Sequence, residues 1–150
     1  MTSITPVAAL LLTATLAVAT ATDLRERRIP NRLTAVAAGL GLILLCSGGT
    51  SAALSGLGSA LVVASPLLAI SLLRPEGIGM GDVKLVAVLG LYLGWSAWPA
   101  LLIALTLAGL AGVLLALGTR TPPSQTALPL APFIAAGSLP VLVLSLNPLQ

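Results

Sequence analysis

Four acidic side chains, Asp23, Glu26, Glu76 and Asp82, are all that this 150-residue sequence offers for acid–base work, because it has no histidine and one cysteine, Cys46. Without imidazole no Ser-His-Asp or Cys-His nucleophile can be assembled, and one cysteine makes neither an internal disulfide nor a cysteine zinc site. Asp23 and Asp82 stand where long apolar runs meet short charged stretches. Ionisable groups at such depth are costly and point to function. Two carboxylates brought together cannot both ionise cheaply, so they share a proton. One then acts as base towards a water while the other donates to a peptide carbonyl oxygen. That is the chemistry of aspartic proteolysis, and its titration belongs to the pair.

Taken singly, each acid also has a plain structural reading. Asp23 closes the first apolar run, where the negative end of a helix dipole disfavours a carboxylate. An i,i+4 pair with Arg27, on a helix that continues, would compensate. Asp82 follows Gly79-Met80-Gly81 and precedes another apolar run, so it could cap that helix. The two glycines leave room for an extended chain to approach. Lys84 lies about 200° around an ideal helix from Asp82, which favours reaching towards lipid headgroups over pairing with that acid. Cys46 reads as a small buried apolar side chain.

The elements that must position these acids are helices. With 57% hydrophobic and only 7% charged residues, the chain falls outside the soluble range of about 25% charged. Apolar segments run over about 4–22, 33–47, 53–73, 81–95, 99–117 and 130–146, and about 20 residues cross a bilayer core. The expectation is an all-α polytopic membrane bundle of about six transmembrane helices, forming one domain over 1–150. Pro132 and Pro140 interrupt the sixth segment, which should therefore line protein or water. Gly39, Gly41, Gly56, Gly58, Gly90, Gly94, Gly109 and Gly112 supply small residues for helix contacts.

Arg25, Arg27, Arg28 and Arg32 lie between the first two segments, Arg74 and Lys84 flank the break between the third and fourth, and Arg120 follows the fifth, all on alternate loops, whereas the other loops and both ends carry no ionisable side chain. The positive-inside rule makes the charged side cytoplasmic and both termini extracytoplasmic. The net charge of +3 reports orientation here and not a nucleic-acid partner. Ala19-Thr20-Ala21 imitates a signal-peptide cleavage site, but positive charge follows the run instead of preceding it, so a retained helix is expected. The stretch Thr119 to Ala127 is polar. Asp23 thus ends an inward-going helix and Asp82 begins an outward-going one, and the two can converge at one membrane face.

The run Asp23-Leu24-Arg25-Glu26-Arg27-Arg28-Ile29-Pro30-Asn31-Arg32-Leu33-Thr34 resembles the first signature of the type IV prepilin peptidases. Gly79-Met80-Gly81-Asp82-Val83-Lys84-Leu85 resembles the second, the GxGD signature, and Leu128 to Gly137 resembles a third, proline-containing element. The resemblance implies Asp23 and Asp82 as catalytic aspartates, with no metal and no cofactor. It implies cleavage of the basic leader of prepilin or pseudopilin chains at the cytoplasmic face of a bacterial or archaeal inner membrane. Gly79, Gly81, Pro30, Asn31 and Lys84 become supporting or substrate-binding residues, Pro30 and Asn31 by shaping the turn after Asp23. The paired-cysteine domain of larger members is not in this sequence, which looks like the compact form serving tight-adherence or Flp-type pili.

Two other readings compete. A broader GxGD protease would cut within the apolar span of its substrate. A non-enzymatic scaffold or transporter component would keep Asp23 with Arg27 and Asp82 as a cap, which accounts for each acid singly but not for their shared face. A homo-oligomer is compatible with the sequence, and no nucleic-acid partner is expected.

Overall fold

The computed structural model describes residues 4–74, 78–119 and 128–146; Glu76, Arg120 and most of the polar stretch Thr119 to Ala127 lie outside them. The described residues form six α-helices, in the places of the six apolar segments, and no strand. These are α1 (Pro6–Glu26), α2 (Asn31–Ser47), α3 (Thr50–Leu73), α4 (Met80–Leu93), α5 (Ala97–Thr119) and α6 (Ala131–Leu146), with a 3₁₀ turn, Gly94–Ser96, between α4 and α5. Length and composition qualify three helical stretches to cross a membrane: Pro6–Glu26, Thr50–Leu73 and the continuous Met80–Gly118. The helices α2 and α6 are apolar but shorter.

Local chemistry sets several boundaries. Thr5 caps α1, its hydroxyl accepting from the Ala8 N–H at 3.3 Å, with Pro6 in the first turn. Proline suits that position because its missing N–H would have no helical partner. At the other end Arg27 takes a left-handed conformation, φ 51°, and its N–H closes on the Asp23 carbonyl at 2.9 Å. The chain then turns through Ile29 and Pro30 into α2. Gly94, at φ 58°, occupies backbone space closed to most side chains and turns α4 into α5.

Two helix pairs approach with backbone against backbone. Gly90 of α4 lies on the Ala60 backbone of α3, and the Ser59 hydroxyl donates to the Gly90 carbonyl at 2.9 Å. Gly137 of α6 lies against the backbone of Ala100 and Ala104 of α5. Such approaches let dispersion and polar contacts replace the hydrophobic drive that lipid removes. Leu12, Leu67, Leu85, Leu89, Leu101 and Ile134 fill the centre. Large apolar side chains such as Leu10, Leu61, Leu117 and Val143 face outward, as in a bundle solvated by lipid.

Several expectations need correcting. The helix α6 runs unbroken through Pro140, and Pro132 sits in its first turn, where proline costs little. Nothing stands within 4 Å of where a Cβ would project from Gly39, Gly58 or Gly109, so these glycines make no close helix contact. Cys46 is exposed rather than buried.

Candidate active site

Helices that alternate in direction bring four element ends together: the end of α1 and the starts of α2, α4 and α6. Asp23 lies on the inward stripe of α1 that includes Leu12, Leu16 and Ala19, and is only 6% exposed. A buried carboxylate needs partners. Its Oδ2 accepts the Ala131 N–H at 3.0 Å, across 108 residues. Ala131 is the first residue of α6, where free N–H groups and the positive end of the dipole favour an anion. The unfavourable end of α1 is thus offset by the favourable end of α6. Among the described residues no ion pair joins Asp23 to Arg27; the left-handed turn at Arg27 ends the helix there instead.

Asp82 sits in the first turn of α4, but as its third residue and not as its cap; the cap position belongs to Gly79. The Asp82 carboxylate reaches back to the Gly79 backbone, with Oδ2 3.3 Å from where a Cβ on Gly79 would stand. The Asp82 N–H donates to the Gly79 carbonyl at 3.0 Å. This is the third-residue half of a capping box, a carboxylate turned back on the N-cap backbone. The two carboxylates lie close enough for the charge of Asp23 to act on Asp82.

The turns carrying the two acids also touch. A Cβ on Gly81 would stand 3.1 Å from Cβ of Ile29. The room left by this glycine is therefore taken by the α1–α2 turn. Lys84, expected to reach for headgroups, instead donates from Nζ to Oδ1 of Asn31 at 2.9 Å, tying the start of α2 to α4. Pro30 occupies the N-cap position of α2. Beneath the Lys84–Asn31 bond the helices are not close-packed. Thr34, Ala38, Leu57, Ala60, Ala87 and Leu91 line a cavity of about 450 Å³ there. A second polar contact between α2 and α4 is the Tyr92 hydroxyl donating to the Ala37 carbonyl at 2.9 Å.

Two contributors escaped the sequence reading. Ala131 acts through its backbone, which no side-chain pattern announces. Ser71, buried near the end of α3, donates to the Ile78 carbonyl at 3.0 Å and so holds the residue next to Gly79. A serine in an apolar run was the only signal. Among the described residues no cluster of three or more His, Cys, Asp or Glu could hold a metal.

Residues 10–117 match the model of the type IV leader peptidase family. The chain is 36% identical over 136 residues to a prepilin leader peptidase/N-methyltransferase of Aeromonas hydrophila, covering 85% of this chain and 46% of that protein. One of the same description from Pectobacterium carotovorum subsp. carotovorum is 33% identical over 140 residues, covering 87% of this chain and 49% of the relative. A third, from Burkholderia pseudomallei strain 1026b, is 45% identical over 62 residues, 41% of this chain and 20% of that protein. The chain spans about half the length of the first two. No solved structure gives a significant match.

Proposed function

We propose that this chain, which belongs to the type IV leader peptidase family, is a membrane endopeptidase that removes the basic leader of prepilin or prepilin-like proteins, with Asp23 and Asp82 as its catalytic pair. The observation that carries the reading is the convergence of these two acids, 59 positions apart in the sequence, at one end of the bundle. With one proton between them, the ionised carboxylate takes a proton from water as its oxygen attacks the scissile carbonyl carbon. The protonated carboxylate donates to the carbonyl oxygen. Collapse of the tetrahedral intermediate returns a proton to the departing nitrogen and breaks the C–N bond.

Gly79 and Gly81 serve as supports in this scheme: one gives the Asp82 carboxylate room to fold back, the other seats Ile29. Pro30, Asn31 and Lys84 keep the two turns in register. The chain acts as one domain, its six helices all cross the inner membrane, the acids lie at the cytoplasmic face and both termini at the other. The grouping of Arg25, Arg27, Arg28, Arg32, Arg74 and Lys84 at the acid end supports that orientation.

The test is reconstitution of the purified protein in lipid with a peptide joining a basic leader to an apolar helix, followed by mass spectrometry of the products. One cut just before the apolar helix is expected, and none from folded Asp82→Asn. Undiminished processing by that variant would refute the pair, and a cut inside the apolar helix would favour a broader intramembrane protease.

A further inference from the structure

Helical threonines usually return their hydroxyl to the backbone of the preceding turn, and this chain follows the rule repeatedly. Thr13 donates to the Ala9 carbonyl at 2.8 Å, Thr15 to Leu11 at 2.8 Å, Thr22 to Val18 at 3.0 Å and Thr106 to Leu102 at 2.7 Å. Thr20 departs from it. Its Oγ1 is buried and has no hydrogen-bond partner among the described residues. A buried hydroxyl left unpaired is costly, and the usual remedy, the carbonyl four residues back, is not taken.

The place of this hydroxyl narrows its purpose. Thr20 is three residues before Asp23, so the two side chains are neighbours on one face of α1. Thr20 flanks the buried stripe of Leu16, Ala19 and Asp23. It is a buried polar atom one turn from a carboxylate whose charge acts on a second one. A buried water needs two to four polar partners to be held, and two carboxylates on one side leave the opposite side of such a water unsupported.

We propose that the Thr20 hydroxyl is a third polar group of the active site, donating a hydrogen bond to the oxygen of the water that Asp23 and Asp82 activate. The inference rests on the peptidase reading above. Thr20 keeps its proton throughout. Its O–H occupies one lone pair of the water, a carboxylate takes a water hydrogen, and the remaining lone pair is aimed at the carbonyl carbon. An apolar wall in place of the hydroxyl would leave the water free to turn.

The experiment compares Thr20→Val, the shape-matched variant without the hydroxyl, with Thr20→Ser in lipid, measuring kcat, KM and thermal unfolding. The proposal expects kcat to fall about tenfold in Thr20→Val, the value of one hydrogen bond in the transition state, with KM unchanged. Because the hydroxyl has no structural partner, Thr20→Val should unfold at the same or a higher temperature. Thr20→Ser should recover most of kcat. Wild-type kcat in Thr20→Val overturns the proposal. So does a fall in stability that parallels the loss of activity, which would make the hydroxyl structural, and so does a raised KM at constant kcat, which would put it on the peptide. Asp82→Asn, run alongside, separates the two levels. If it is inactive while Thr20→Val is normal, only Thr20 is lost; if it is fully active, the catalytic pair itself is lost.

Discussion

The two ends of the bundle are built on opposite principles. At the acid end the turns are pinned by polar contacts, two between elements distant in sequence, Asp23 to Ala131 and Lys84 to Asn31, and one across a single connection, Ser71 to Ile78. At the other end the described residues include no Asp, Glu, Lys or Arg. Ile4, Ala8, Leu44, Ala52, Leu91 and Trp95 help line a cavity of about 340 Å³ there. Apolar contact is non-directional and tolerates an incomplete fit, whereas hydrogen bonds in a low-dielectric setting fix atoms to specific places. The contrast separates a region that must hold two carboxylates in a defined geometry from one that only has to stay closed.

Substitutions at the two ends should therefore differ in kind. The largest effect is expected from Asp23→Asn and Asp82→Asn, each lowering the rate of leader cleavage by at least about a hundredfold, as loss of a general acid or base does. Quantitative cleavage assays on the folded variants check this. Next comes Ala131→Pro, which removes the N–H that holds Asp23 while keeping a residue that the first helical position accepts. A fall in kcat of about tenfold is expected, the value of a hydrogen bond to a charged group, with helix content by circular dichroism unchanged. Wild-type kcat in that variant would detach α6 from the site.

A smaller loss is expected from Lys84→Met, which keeps the stem and removes the bond to Asn31. With a cavity beneath it, little apolar packing substitutes for that bond, so kcat should fall a few-fold and thermal stability should drop modestly. At the opposite end, Ala52→Val puts added volume into the cavity, and processing should not change, while the unfolding temperature holds or rises. A clear loss of activity there would break the contrast between the ends.

The two acids also differ in how far the sequence could disclose them. The surroundings of Asp82 are local: Gly79 and Gly81 lie within three residues, and a turn with a carboxylate at its head could be read directly. Only its exact register, third residue rather than cap, needed the structure. The key partner of Asp23 is a backbone N–H 108 positions away, and nothing in the side chains around Ala131 advertises it. The α1 reading was incomplete for the same reason: the dipole argument said that Asp23 needed compensation, but Arg27 was the only candidate within sequence reach. The helices themselves were legible from apolar run length. Their inward faces were not, because helices apolar on every side carry no stripe to mark the core. Hence the glycines at 90 and 137, which bring backbones together, could not be told from those at 39, 58 and 109, which face open space.

The central claim is that Asp23 and Asp82 act as one unit on one water, and the most direct test is a mutant cycle on leader cleavage in lipid. Groups that work as a unit are grossly non-additive. The account predicts that Asp23→Asn, Asp82→Asn and the double replacement cleave at the same residual rate. A double variant slower than either single one by the product of their separate losses, or one single variant that retains wild-type cleavage, would contradict it.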